Sequence, residues 1–158
     1  MGGRNILKLG ASLALPLLAG AIGSVFVASS VDTWYAALVK PSLMPANFVF
    51  TPVWFALYLL MGVALFLVWR RGFAESGVKK ALVAFDAQLI LHILWSALFF
   101  GLESPLLGLV GIAALLLAIF YTVTVFDEVS RPAALLLLPY LGWVAFAAYL
   151  NYLIFTLN

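Results

Sequence analysis

Residues 81–101 read ALVAFDAQLILHILWSALFFG, twenty-one positions of which only Asp86 carries a formal charge. A helix rises about 1.5 Å per residue, so the run reaches about 30 Å, the thickness of a bilayer's hydrocarbon core. A transmembrane β-strand would be about 10 residues long and would alternate in polarity, which this run does not. Working outward, four similar runs follow the same reading, giving five spans near Ile6–Ser30, Phe48–Trp69, Ala81–Gly101, Pro105–Phe126 and Ala133–Leu157. The expected fold is all-α: a polytopic membrane protein built as a five-helix bundle, with residues 1–158 forming one membrane domain.

Composition supports this. The 158 residues are 66% hydrophobic and 9% charged, whereas a soluble domain is about a quarter charged. Without cysteine there is no disulfide framework, thiolate metal site or cysteine nucleophile. The net charge of +2 is spread over span ends, which argues against a nucleic-acid partner. The amino-terminal run resembles a secretory leader, with Arg4 and Lys8 before it and FVASS near its end. It is longer than a leader core, however, and carries Gly20 and Ser24 at the spacing that lets helices approach closely, so a retained first helix is expected.

Three of the four connections are short, which predicts antiparallel packing of consecutive helices. Five crossings collect Arg4, Lys8, Arg70, Arg71, Lys79, Lys80 and Arg131 on one side and leave only Lys40 on the other. Basic loops are retained in the cytoplasm, so the amino terminus is expected inside and the long loop, residues 31–47, outside. The expectation is a multi-pass protein of a prokaryotic cell membrane.

Polar and aromatic residues gather at one depth. Counting helical rise, His92 lies about 18 Å and Trp143 about 16 Å from the inner ends of their spans, and Tyr58 about 12 Å below the outer end of its own. Trp54 and Trp95 fall nearer the long loop. Helical spacing groups Gln88, His92, Trp95, Ser96 and Phe99 on the third span, Trp54, Tyr58, Met61 and Leu65 on the second, and Pro139, Trp143, Phe146, Ala147, Leu150 and Asn151 on the fifth. Three inward stripes would line one cavity.

Plainer readings stand beside this one. Trp69, next to Arg70, reads as an interfacial anchor; Trp34 and Trp54 fit either reading; the depth of Trp143 sets it apart from the interfacial belt. Gln88 and His92 can hydrogen-bond between helices, and His92 has no visible second ligand for a metal. Asp86 points some 200° away from Gln88 and reads as a residue that snorkels or pairs with a basic loop side chain, or else as part of a proton relay. No nucleophile–base pair, phosphate loop, metal cluster or carboxylate pair is present, so ordinary hydrolytic or phosphoryl chemistry is not expected. An apolar aromatic cavity with few polar groups suits a flat or bulky hydrophobic ligand.

The segments WYAALVKPSLMPANFVFTPVWFALYLLMG, QLILHILWSALFFG and PYLGWVAFAAYLN resemble, in order and spacing, signatures of the TspO/translocator protein family, also known as peripheral benzodiazepine receptors or tryptophan-rich sensory proteins. The resemblance implies a five-helix bundle, often a homodimer, whose cavity opens toward the first loop and takes protoporphyrin IX, haem-related tetrapyrroles, sterols and benzodiazepine-like drugs. It implies a lid formed by the first loop, with Trp34, Lys40, Pro41 and Pro45, and ligand-binding positions at Trp54, Tyr58, Gln88, His92, Trp95, Phe99, Trp143, Phe146, Ala147 and Leu150. No cofactor is required on this reading, and the porphyrin is a ligand.

Some bacterial members are reported to promote light- and oxygen-dependent porphyrin breakdown, which makes Trp54 and Trp143 candidate catalytic residues. The chain departs from the family pattern at His92, usually asparagine, at Ala46, usually proline, and at Leu43, often aromatic. Tyr152 lacks the basic residue that the family's sterol pattern places after it, which ranks porphyrins above sterols. The expected function is therefore a porphyrin-binding membrane receptor or sensor that regulates or traffics tetrapyrroles. The alternatives are a photo-oxidative porphyrin-degrading enzyme and a transporter of hydrophobic molecules, the latter without an inverted repeat or coupling-ion site. Gly111, Ala114, Ala118 and Thr122 on the fourth span offer a small-residue face that serves either a dimer or packing within one bundle.

Overall fold

A computed structural model describes residues 3–158. The helices are α1 (Gly3–Ser30), α2 (Trp34–Ala37), α3 (Asn47–Trp69), α4 (Val78–Ser96), α5 (Pro105–Val129) and α6 (Arg131–Leu157), with α4 continuing as a π-helical turn over Ala97–Gly101. No strand is present among the described residues. All but α2 are long and apolar enough to cross a membrane, and the chain is a multi-pass integral membrane protein.

Local chemistry sets the ends. Gly77 has φ +83°, a left-handed conformation that glycine takes without strain, and it turns the chain into α4 three residues before the expected start at Ala81. Ser104 caps α5 by accepting the Leu107 N–H at 3.3 Å, and Pro105 occupies the first turn, where a missing N–H costs nothing. Ser130 alone separates α5 from α6. The polar DEVSRP stretch is thus absorbed into the two helix ends, and α5 and α6 extend past the expected limits.

The spans form a closed ring in the order α1, α3, α6, α5, α4. Of the three pairs joined by short connections, α4–α5 and α5–α6 are neighbours as expected, and α1 and α3 are neighbours too despite the long connection between them. The exception is α3 and α4, which flank α1 and meet each other only lightly. Their connection, residues 70–77, is a succession of turns that spans the end of α1. Lys8 of α1 fastens the crossing by donating to the Trp69 carbonyl at 3.0 Å.

Two glycines allow close approach. A Cβ on Gly62 would lie 2.8 Å from the Leu13 Cα and 2.9 Å from the Ser12 carbonyl oxygen, so α1 and α3 touch backbone to backbone there. A Cβ on Gly20 would occupy the space of the Tyr58 ring.

The bundle is filled unevenly. At the end bearing Arg70, Arg71, Lys79, Lys80 and Arg131, Phe85 stacks on Phe126 at 5.8 Å. Val68, Val78, Ala81 and Ala133 pack around them with no exposure. Toward the opposite end the helices separate, and the 31–46 connection folds over the opening. Its helix α2 buries Tyr35 against Phe99 and Phe100, at ring distances of 6.2 and 5.4 Å. The Lys40 ammonium donates to the Tyr35 and Ala36 carbonyls at 2.7 and 3.2 Å, closing the exposed end of that short helix. The Met44 N–H closes a turn onto the Pro41 carbonyl at 3.0 Å. Asn158, at the end of α6, accepts from the Val39 N–H at 2.9 Å and donates to the Val39 carbonyl at 3.1 Å. The loop is therefore tied down from two sides.

Of the small residues on α5 considered for a dimer face, Gly111 packs inside the bundle against Trp95 and Leu98. Thr122 is buried and donates to the Ala84 and Ala118 carbonyls. Only Ala114 and Ala118 remain at least partly exposed.

Candidate functional site

Under the folded loop lies a cavity of about 650 Å³, bordered by α1, α3, α4, α6 and the loop. This is within the range of small-molecule sites. Trp54, two turns inside α3, is the hub of its wall. The indole lies 4.9 Å from the His92 ring, 5.7 Å from Tyr58 in a stacked arrangement, 6.2 Å from Trp95 and 6.5 Å from Trp143 at 88°. Rings from three helices thus meet edge to face and offset, the geometries aromatic quadrupoles favour.

Hydrogen bonds hold this wall in place. The Tyr58 hydroxyl and His92 Nε2 are 2.9 Å apart. His92 is 2% exposed, and its Nδ1 has no protein partner. If Tyr58 donates to Nε2, the imidazole proton sits on Nδ1 and one group is unsatisfied. If Nε2 donates instead, both the Nδ1 lone pair and the tyrosine proton lack partners, so the first arrangement is preferred. Trp95 Nε1 donates to Asn151 Oδ1 at 3.2 Å, and Asn151 Nδ2 donates to the Pro105 carbonyl at 3.1 Å. That chain ties α4 to α6 and to the start of α5. Trp143 Nε1 is shielded and without a partner. Burial raises the pKa of the Tyr35 phenol in the lid, which keeps it a neutral donor, here to the Met44 sulfur at 3.6 Å.

Of the residues expected to line the cavity, Trp54, Tyr58, His92, Trp95, Phe99, Trp143, Ala147 and Leu150 do so. Gln88 does not. It lies one turn, about 6 Å, below His92, where the fully buried Tyr140 hydroxyl donates to its Oε1 at 2.8 Å and closes the floor. Phe146 is also off the lining and packs against the Trp143 ring at 5.7 Å. At about 100° per residue it falls some 60° to one side of Trp143, whereas Ala147 and Asn151 fall to the other, cavity side. Pro139 lies on the Phe146 side and is exposed, while Met61 and Leu65 are buried in the solid part of the core. Trp34, Lys40, Pro41 and Pro45 build the lid without facing the cavity; Tyr35 and Met44 face it instead.

Sequence reasoning missed the wall contributed by α1, chiefly Leu17, Gly20, Ser24 and Val27. The Gly20–Ser24 spacing was the available signal. It marks close packing, and the side chain admitted at Gly20 is Tyr58. Phe100 was missed because the π-helical turn widens the helix locally and brings both Phe99 and Phe100 onto the cavity. No group of three or more metal-ligating side chains occurs among the described residues. The chemistry on offer is shape, aromatic surface and a few hydrogen-bonding groups in a mostly apolar space.

Comparison with known proteins agrees with the architecture. The TspO/MBR family model matches residues 12–157. The chain is 49% identical over 154 residues to the tryptophan-rich protein TspO of Archaeoglobus fulgidus, covering 98% of this chain and 99% of that one. It is 40% identical over 152 residues to the translocator protein of Homo sapiens, covering 95% and 89%. It is 33% identical over 140 residues to protein CrtK of Rhodobacter capsulatus, covering 89% and 86%.

Proposed function

Because the chain belongs to the TspO/MBR family, we propose that its lidded cavity binds porphyrins, protoporphyrin IX foremost, and that the protein senses or traffics tetrapyrroles in the membrane. The observation that carries the reading is the Trp54-centred wall of rings beside a cavity of about 650 Å³. A planar apolar guest gains stacking there that an aliphatic pocket would not provide. On the same reading the protein needs no resident cofactor, functions as a homodimer, and keeps its amino terminus and basic loops in the cytoplasm with the lid outside.

The test is titration of the purified protein with protoporphyrin IX in darkness, followed by tryptophan fluorescence. Saturable quenching, weakened by Trp143→Phe and by His92→Ala, is expected. Absence of a saturable component, or indifference to both substitutions, counts against the reading.

Light- and oxygen-dependent porphyrin breakdown is a second reading, favoured by the contact between Trp54 and Trp143 at 6.5 Å on the cavity wall. Two touching indoles can pass an electron toward an excited guest. It requires a new absorbing product in light, lost when both tryptophans become phenylalanine, and no comparable bleaching of porphyrin free in detergent.

A further inference from the structure

A second, smaller hollow of about 130 Å³ lies toward the basic end of the bundle, where α1, α3 and α4 meet. Leu15, Leu65, Trp69, Phe73 and Leu82 wall it, and Asp86 completes the lining. Asp86 sits six residues into the membrane from Lys80, about 9 Å along the helix. A carboxylate at that depth is costly unless a cation pairs with it. No cation lies within ion-pair distance of it: among the described residues the ion pairs join Arg71 to Glu75 and Lys80 to Glu128, and Asp86, exposed on the outer surface of the bundle, takes part in no hydrogen bond. Lys8, two turns from Leu15 on α1, is held elsewhere. Its ammonium donates to the Trp69 carbonyl at 3.0 Å and lies 5.8 Å from the centre of that indole. Of the readings of Asp86, pairing with a basic loop residue is not met, and the side chain is instead exposed at the bundle surface.

We propose that this hollow binds a lipophilic ammonium ion, an amine with an apolar tail drawn from the leaflet at the basic end. The ammonium donates to the Asp86 carboxylate, and the Phe73 ring on the wall adds the attraction of an aromatic face for a cation. The leucines accommodate the first part of the tail. At about 30 Å³ for each water-sized group, the hollow holds the ammonium and roughly three carbons. The rest of the tail lies in lipid. A neutral alcohol leaves the carboxylate uncompensated and an anion is repelled, so charge selects the occupant. The site lies apart from the large cavity and does not depend on what that cavity binds.

The experiment measures equilibrium binding of radiolabelled dodecylamine to the full chain in phosphatidylcholine nanodiscs, with empty discs subtracted for partitioning. One saturable site per chain is expected. Asp86→Asn, nearly isosteric, weakens it at least tenfold, and Leu15→Trp, which fills the hollow but keeps the carboxylate, does the same. Dodecanol does not compete. Retention of helical circular dichroism and of the size-exclusion profile confirms that both variants are folded. Binding that matches empty discs, that survives Asp86→Asn, or that yields equally to dodecanol overturns the proposal. Binding lost in Asp86→Asn but kept in Leu15→Trp places the amine elsewhere and overturns the hollow as its site.

Discussion

Replacing Tyr58 with phenylalanine removes one oxygen and nothing else, which isolates the bond holding α3 to α4 at the cavity wall. The hydroxyl lies 2.9 Å from His92 Nε2, and the histidine is 2% exposed, so water cannot replace the lost partner. Interhelical hydrogen bonds within membranes are worth about 0.6 kcal/mol on average and about 1.7 at most. Leaving a buried acceptor unsatisfied costs about 1–3 kcal/mol. Tyr58→Phe is therefore expected to destabilise the bundle by about 1–2 kcal/mol. His92→Leu removes the imidazole, but the stranded hydroxyl borders the cavity and can turn toward it, so its loss from this bond is smaller. The double variant removes both partners and should cost less than the two single losses together, by a coupling of about 0.6–1.7 kcal/mol. Steric trapping or denaturation from mixed micelles measures all four proteins. Additivity within about 0.3 kcal/mol would mean that the contact carries no net energy, and the account of a wall fixed by Tyr58 and His92 would fail.

Gly20→Leu places a side chain where the Tyr58 ring now sits; porphyrin affinity should fall more than tenfold while helicity is retained, as read by fluorescence quenching and circular dichroism. Gly62→Val drives a side chain into the backbone of α1 and is expected to cost about 3 kcal/mol, the upper end of overpacking, in the same unfolding assay. Tyr140→Phe leaves Gln88 Oε1 without its buried donor and should cost about 1–3 kcal/mol with little change in ligand affinity, because neither residue lines the cavity. Asn158→Ala removes both bonds to Val39, and hydrogen exchange in residues 34–44 should quicken several-fold, consistent with about 1 kcal/mol for partly exposed bonds.

The five spans could be read directly because hydrocarbon imposes a one-dimensional rule: about 20 consecutive apolar residues satisfy every backbone group within one helix. Depth was legible for the same reason, since residue count converts to height by a fixed rise. That placed His92, Tyr58 and Trp143 at a common level before any fold was known. Facing was less secure. A stripe read at 100° per residue is wide enough to include Phe146 and Pro139, and only packing decides which side of Trp143 is wall and which is lipid. Gln88 shared the correct face but lay a turn too deep, because the Tyr140 hydroxyl fills the floor from another helix.

The order of the helices around the ring was not written in loop length. A short connection requires only that two ends be near each other, and the α3–α4 link meets that condition while crossing the end of α1. Nor could the sequence show that α1 forms a cavity wall, since Gly20 and Ser24 read the same whether the neighbour is a backbone or the edge of the Tyr58 ring. By itself, then, the sequence determined how many times the chain crosses the bilayer, at what height its polar and aromatic groups sit, and which family it resembles. The tertiary structure alone decided where the bundle is solid and where it is hollow. The physical reason is that spans are fixed by each segment's own transfer into lipid, whereas a cavity depends on side chains from several segments failing to fill the same space.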